Sequence, residues 1–370
     1  MRGLCKGGAD GPRAGWTAYV VPMLPLLFNV LLLVVLAVSL NVRSWAMALA
    51  MHTIWSIVVV WVVATVGTTM NGWSVFALMQ GVAWYGFLHG PVAWLVLARR
   101  ATNRKVAVGL GLTALMAAAA GAWSALIEPR MLQVHREEFQ SEKVTEAFTI
   151  ALIADLQTDT IGDHELQAIA AAGGADLVLF AGDYLQVDDK ERFYSLAKEL
   201  HAALSTLRPR LGAFAVGGDV DVYRWEQIFQ GTEVQPWETS TTLDLGPLVL
   251  TGLRLKDSRY GVPPIPVSEK LHVVFGHAPD YAMAAGGRAD LLLAGHTHGG
   301  QVVLPGYGPL ITFSMVPRAW ASGRTELPDG GTLIVSRGIG MERLDAPRLR
   351  MFCPPEVVLI DVSRSESRRP

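Results

Sequence analysis

The chain has only two cysteines in 370 residues, Cys5 and Cys353, placed near opposite ends. A disulfide framework or a thiolate metal site needs more sulfur than that, so neither is expected. Charge is scarce as well. Asp, Glu, Lys and Arg make up 17% of the chain against 51% hydrophobic residues, which is unlike an ordinary soluble protein. The scarcity is local: residues 14–42, 44–98 and 106–127 contain no Asp, Glu, Lys or Arg. Basic residues run short elsewhere. Up to Glu128, eight of them (Arg2, Lys6, Arg13, Arg43, Arg99, Arg100, Arg104, Lys105) face two acids (Asp10, Glu128), so the formal net charge of -2 leaves -8 for the remainder. An acidic remainder argues against a nucleic-acid partner, because phosphate backbones are bound by basic surface.

The uncharged runs are long enough to cross a bilayer, whose core takes roughly 20 helical residues. Four spans are predicted, near 18–40, 46–67, 74–97 and 106–126, with the polar break "TTMNGW" separating the second from the third. A multi-pass protein of a bacterial inner or plasma membrane follows, with the bilayer itself as a partner. A cleaved signal peptide would carry a single, shorter apolar region. The basic cluster "ARRATNRK" flanks two spans at once and favours the cytoplasm, which places the C-terminal domain outside, although the basic N-terminal tail pulls the other way. Asn29, His52, Gln80 and His89 fall within the spans. Interhelical hydrogen bonding is their ordinary explanation, and a haem or ion site at His52 and His89 is the functional one.

Residues 128–370 change character, and apolar strands alternate there with amphipathic helices, giving a domain boundary at 127 and an α/β class for the second domain. Five strands end on metal-binding residue types: "FTIALIADLQTD" at Asp155, "ADLVLFAGDYLQ" at Asp183, "LGAFAVGGDVDVY" near Asp219 and Asp221, "LHVVFGHAPDY" at His277, and "DLLLAGHTHGG" at His296 and His298. Each residue alone has a bland reading, as a helix cap, a turn residue or a half-buried histidine. Chance does not place a ligand after every strand, and the carboxyl ends of strands gather on one edge of such a sheet.

In order, "DLQ", "GD", "GDVD", "GH" and "GHTH" resemble the D-x-H, G-D, G-N-H-D, G-H and G-H-x-H series of calcineurin-like metallophosphoesterases. "GHTHGGQV", "VSRGIG" and "CPPEVVLIDV" are similar to the membrane-associated branch of that superfamily, which is related to UDP-2,3-diacylglucosamine hydrolases. The resemblance covers about residues 128–362 and implies an α+β sandwich of two sheets flanked by helices, following the four-helix transmembrane module. It also implies two divalent metal ions (Mn, Fe, Zn or Mg). Asp155, Gln157, Asp183 and His298 would hold one, Asp183, Asp219, His277 and His296 the other, with Asp183 bridging them. The implied activity is hydrolysis of a phosphoester or pyrophosphate bond, with a phosphorylated or lipid-linked small molecule of the UDP-diacylglucosamine type as substrate.

Three positions depart from the family pattern. Gln157 stands where the family has histidine, and an amide oxygen is the poorer ligand for a transition metal, so the first site should be weak. Asp219 replaces asparagine and shifts preference toward harder ions, with Asp221 in reserve for the same role. Val220 replaces a histidine often assigned to leaving-group protonation, which favours substrates whose leaving group is itself a phosphate. Arg337 in "VSRGIG" is a phosphate-contact candidate or a surface ion pair, and His164 a substitute ligand or a solvated side chain. Gln157 and Val220 together also motivate a degenerate relative that binds metal or a phosphorylated ligand without efficient turnover. A transporter or redox module centred on His52 and His89 is a third reading.

Overall fold

The computed structural model describes residues 24–71, 74–187, 189–221, 223–261, 265–285, 287–343 and 346–365. The chain divides into two compact units, one formed by Met1–Trp123 with Leu344–Pro347 and the other by Ser124–Arg343 with Arg348–Pro370.

The first unit is helical: α1 (Leu24–Leu40), α2 (Trp45–Asn71), α3 (Ser74–Trp84), α4 (Gly90–Ala98) and α5 (Arg104–Ala122). A π-helical turn, Tyr85–His89, joins α3 to α4 without a break, closed by the Gly90 amide on the Tyr85 carbonyl. Trp45–Val63, Val75–Ala98 and Arg104–Arg130 are long and apolar enough to cross a membrane, and Leu26–Leu40 is a shorter apolar helix. The first expected span, 18–40, therefore falls short over the part described, and its predicted start at 18–23, like Cys5, lies outside the described residues. Gly121 lets α5 approach the π turn, since a Cβ there would sit 2.5 Å from Phe87 Cβ.

The second unit contains two six-stranded sheets. Sheet one runs β1 (Gln133–Ser141), β14 (Glu356–Arg364), β2 (Phe148–Ile153), β3 (Leu177–Phe180), β4 (Ala213–Val216) and β5 (Val234–Trp237). Sheet two runs β12 (Gly323–Glu326), β13 (Thr332–Val335), β9 (Leu291–Ala294), β8 (Leu271–Gly276), β7 (Leu248–Leu253) and β6 (Thr241–Asp244). β10 (Val303–Leu304) and β11 (Gly308–Pro309) form a small hairpin apart. β2 to β5 are mutually parallel, as are β7, β8, β9 and β13. Parallel strands covered on both faces need continuous apolar runs, and LVLF, AFAV and LLLA supply them.

One core lies between the sheets, joining Ile150, Leu152, Leu179 and Phe214 to Leu250, Val273, Leu293 and Ile334. The two-sheet α/β arrangement expected from the sequence is present. Helices α6 (Asp163–Ala171) and α7 (Lys190–Leu204) cover the outer face of sheet one. α7 buries Phe193, Leu196, Ala197, Leu200 and Leu204, a stripe at three- and four-residue intervals. Its N-cap Asp189 accepts from the Arg192 amide at 2.6 Å. A short helix, α8 (Leu255–Tyr260), follows β7. Parallel strands share a direction, so their carboxyl ends share an edge, and that edge carries the chemistry.

Candidate metal centre

β2, β3 and β4 in sheet one lead into Asp155, Asp183 and Asp219, and β8 and β9 in sheet two lead into His277, His296 and His298. The two edges are laced together by hydrogen bonds. His277 Nδ1 lies 2.8 Å from the Ala181 carbonyl, and the His296 amide donates to both Asp155 oxygens at 3.0 Å. A carbonyl only accepts, so Nδ1 of His277 carries the hydrogen. By the same reasoning His296 donates from Nε2 to the Phe313 carbonyl at 3.2 Å. Backbone thus fixes both tautomers and turns the remaining nitrogens inward.

What they meet there is more acceptors. His277 Nε2 lies 3.3 Å from Asp183 Oδ2, 3.3 Å from Asp219 Oδ1 and 3.2 Å from His296 Nδ1, which is itself 3.6 Å from Asp219 Oδ2. Lone pairs facing lone pairs repel unless a proton or a cation lies among them. Asp219, His277 and His296 offer ligand atoms within 4.8 Å of one another, and so do Asp155, Asp183 and His298. Two further buried atoms, Gln157 Oε1 and His298 Nδ1, have no hydrogen-bond partner. Nitrogen and oxygen donors converging in this way fit divalent cations of the Mn, Fe or Zn kind.

The charge balance points the same way. Burial, with Asp183 and Asp219 nearby, pushes Asp155 up to about 8 against the pull of His277. Burial also opposes the His277 imidazolium, but Asp183 and Asp219 outweigh it and hold that group well above its ordinary value. His298 is held well below the usual range by burial first, then by Arg350 and the other imidazoles, so it stays neutral and able to ligate.

The local backbone explains why glycine precedes these ligands. A Cβ on Gly218 would fall 2.0 Å from Asp183 Oδ1, and one on Gly295 would fall 2.6 Å from Asp155 Oδ2. Only glycine lets the chain pass so close to a carboxylate. Nine non-glycine residues have positive φ among the described residues, and five of them are Asp155 (50°), Gln157 (34°), Asp183 (58°), His296 (71°) and His298 (50°). Left-handed backbone concentrated in this way marks functional geometry.

Comparison with known proteins agrees with this chemistry. No protein-family model matches the chain. An uncharacterized metallophosphoesterase of Bacillus subtilis, YkuE, is 25% identical over 287 residues, covering 71% of this chain and 96% of that protein. Another uncharacterized metallophosphoesterase, from Aquifex aeolicus, is 25% identical over 262 residues, covering 65% of this chain and 95% of the relative. The solved structure of TT1561 from Thermus thermophilus matches 52% of this chain and 91% of its own, at 12% identity and a TM-score of 0.32. The curated relatives support the calcineurin-like metallophosphoesterase superfamily.

Several residues singled out from the sequence are drawn into other work. Asp221 does not join the ligand groups: its carboxylate accepts from the amides of Gly218 (2.7 Å), Asp183 (2.8 Å) and Tyr184 (2.8 Å). It staples the turn that presents Asp183, although burial and Asp183 push it up to about 7. His164 is bound to the Ile339 carbonyl at 3.1 Å rather than standing in for a ligand. Arg337 pairs with Glu356 and reaches Gln133 at 3.2 Å. Val220 has no imidazole to offer, but its amide donates to Asp183 Oδ1 at 3.0 Å. In the helical unit, His89 Nε2 is 2.7 Å from Asn29 Oδ1, the interhelical bond expected, whereas neither ring nitrogen of His52 has a hydrogen-bond partner among the described residues.

Sequence reading missed three neighbours of the site. Glu342 and Gln186 take both Nε2 hydrogens of Gln157, at 3.2 and 3.1 Å, which fixes the amide and leaves its oxygen for the site. Arg259 donates to Asp219 Oδ2 from α8. None of the three lies in a motif, and no spacing signal points to them.

Proposed function

We propose that this protein is a membrane-anchored, metal-dependent phosphoesterase that hydrolyses a phosphoester or pyrophosphate bond. The observation that carries the reading is the pair of Asp and His groups whose ligand atoms converge to within 4.8 Å of one another at the strand edge. Two divalent cations, when bound, would supply the positive charge that activates water and stabilises an in-line displacement at phosphorus. The chain's own residues do the holding. Asp155, Gln157, Asp183 and His298 form one set, and Asp183, Asp219, His277 and His296 the other, with Asp183 shared. The carbonyls of Ala181 and Phe313 lock the two imidazoles in the tautomers that present a lone pair inward. Gly218 and the Val220 amide set Asp183.

A lipid-linked substrate of the UDP-diacylglucosamine type is supported by the company the site keeps. Phe313, whose carbonyl binds His296, is 44% exposed, and Met315 and Tyr260 are 79% and 77% exposed. Apolar side chains open to solvent beside an ionic centre suit a substrate with an apolar part. Anchoring by the N-terminal helices would keep the enzyme beside such a substrate, with the second unit on the external side.

A second reading, a degenerate relative that binds without turnover, draws on Val220, which leaves no imidazole at that position. The Gln157 amide speaks against it, because Glu342 and Gln186 orient its oxygen as a ligand would be oriented. The deciding experiment assays the full-length protein with Mn against an aryl phosphodiester and a nucleotide pyrophosphate, alongside Asp183→Ala. Metal-dependent turnover that falls by about a thousandfold in the variant supports the enzyme. Mn binding without turnover on either substrate hands the case to the degenerate reading.

A further inference from the structure

Asp219 is the open member of the two ligand groups. Its side chain is 34% exposed, while Asp155, Asp183, His277, His296 and His298 are all buried. A phosphate approaching the centre therefore comes in past Asp219, and what stands beside Asp219 meets it first.

Most arginines near the site are engaged elsewhere. Arg337 is paired with Glu356, and Arg343 with Asp159 at 2.7 Å. Arg350 is fully buried and spends its donors on the carbonyls of Arg337, Gly338, Gly340 and Cys353. Arg259 differs. It is 23% exposed, its Nη1 donates to Asp219 Oδ2, and its Nη2 lies 3.5 Å from the Phe313 carbonyl that also binds His296. The guanidinium is thus tethered at the open edge of the centre through two atoms of the site. A guanidinium carries five N–H donors in a planar fork, so this tether leaves donors for a phosphate oxygen.

We infer that Arg259 is the substrate-phosphate contact of this enzyme, holding a non-bridging oxygen at the mouth of the centre. This deepens the phosphoesterase reading and rests on it. The assignment also accounts for two departures in the neighbourhood. Val220 contributes no cation to the substrate, and the carboxylate of Asp219, standing where the family pattern has a neutral amide, is balanced by a permanent positive charge. An arginine makes a better phosphate clamp than lysine because its fork matches two oxygens at once.

The test is calorimetric and needs no turnover. Full-length protein in detergent, saturated with Mn, is titrated with inorganic phosphate, for the wild type, Arg259→Gln and Arg259→Lys. Mn itself is titrated into each metal-free protein. The glutamine variant is expected to bind phosphate at least about tenfold more weakly, the scale of one charge-assisted contact, with its Mn affinity within about threefold of wild type. The lysine variant should fall between, having the charge without the fork. Unchanged phosphate affinity in Arg259→Gln overturns the assignment. So does a loss of phosphate binding matched by an equal loss of Mn binding, which would make Arg259 a positioning residue for Asp219 alone. A wild type that binds no phosphate with Mn present overturns it too. Failure of the phosphoesterase reading shows separately, as wild-type protein that binds phosphate but hydrolyses neither substrate.

Discussion

Two pairs of buried histidines, His277 with His296 and His52 with His89, differ in the company they keep, and of the two only the first faces carboxylates. His277 and His296 each give one N–H to a backbone carbonyl and turn the other nitrogen toward carboxylates. His52 and His89 lie among aromatic rings in the helical unit, with ring contacts to Tyr85 at 5.9 Å and Phe28 at 6.5 Å. Asn29 holds His89, while the ring nitrogens of His52, Ser56 Oγ and Tyr85 Oη have no hydrogen-bond partner among the described residues. Three helical hydroxyls of this unit, on Ser39, Thr65 and Thr113, each bond back to the carbonyl four residues before. Imidazoles alone do not make a centre. Negative charge and a fixed tautomer do, and the strand edge supplies both.

The sharpest way to break this contrast is to disturb the carboxylate without touching an imidazole. Gly218→Ala places a methyl 2.0 Å from Asp183 Oδ1, so Asp183 must move. We expect Mn binding and turnover to fall by at least about a hundredfold, with stability lower by a few kcal/mol on the scale of an overpacked site. Normal Mn binding by that variant would mean that Asp183 is not a ligand.

Glu342→Leu comes next in size. Removing the carboxylate that orients the Gln157 amide should weaken Mn binding about tenfold, as the loss of an outer partner does, and calorimetry would read it. No change would mean that Gln157 is fixed by Gln186 alone or is not a ligand.

Acidity sharpens the contrast further. Asp155 is pushed up to about 8 by burial and its neighbours, so below that pH a metal must displace its proton. Mn affinity measured from pH 8 to pH 6 should therefore drop by roughly tenfold per unit for each proton displaced, the proton of His277, also held upward, adding to that of Asp155. A flat profile would show that no ligand is protonated in the metal-free protein.

The helical pair should give the smallest effects. His52→Leu deletes a ring whose nitrogens have no hydrogen-bond partner among the described residues and is expected to leave stability within about 1 kcal/mol or raise it, whereas His89→Leu removes the bond to Asn29 Oδ1 and should cost about 1 kcal/mol. Thermal unfolding of the two variants compares them directly. A larger loss at His52 than at His89 would mean that His52 has a partner which the ring contacts alone do not reveal.

How much of this was legible beforehand differs by scale. The apolar runs LVLF, AFAV and LLLA and the residues that close them are local in the sequence, so the strand edge and the candidate ligands on it could be read directly. The insertion of β14 between β1 and β2 could not, because it is set by pairing across more than two hundred residues. Asp219 and Asp221 look alike in "GDVD", and only the turn decides that one faces the site while the other accepts three amides. Arg259 lies forty residues from Asp219, and its role is visible only once the two are in contact. The π turn at Tyr85–His89 was equally invisible, since nothing in YGFLH departs from an ordinary apolar helix.

The left-handed backbone of Asp155, Gln157, Asp183, His296 and His298 bears on the stability of the chain as well as on its chemistry. Such a conformation costs a non-glycine residue on the order of 1 kcal/mol, and glycine at the same place removes most of that cost. Each of the five positions therefore gives up stability for a side chain that glycine could not supply, and the strand edge is where the fold concentrates that strain.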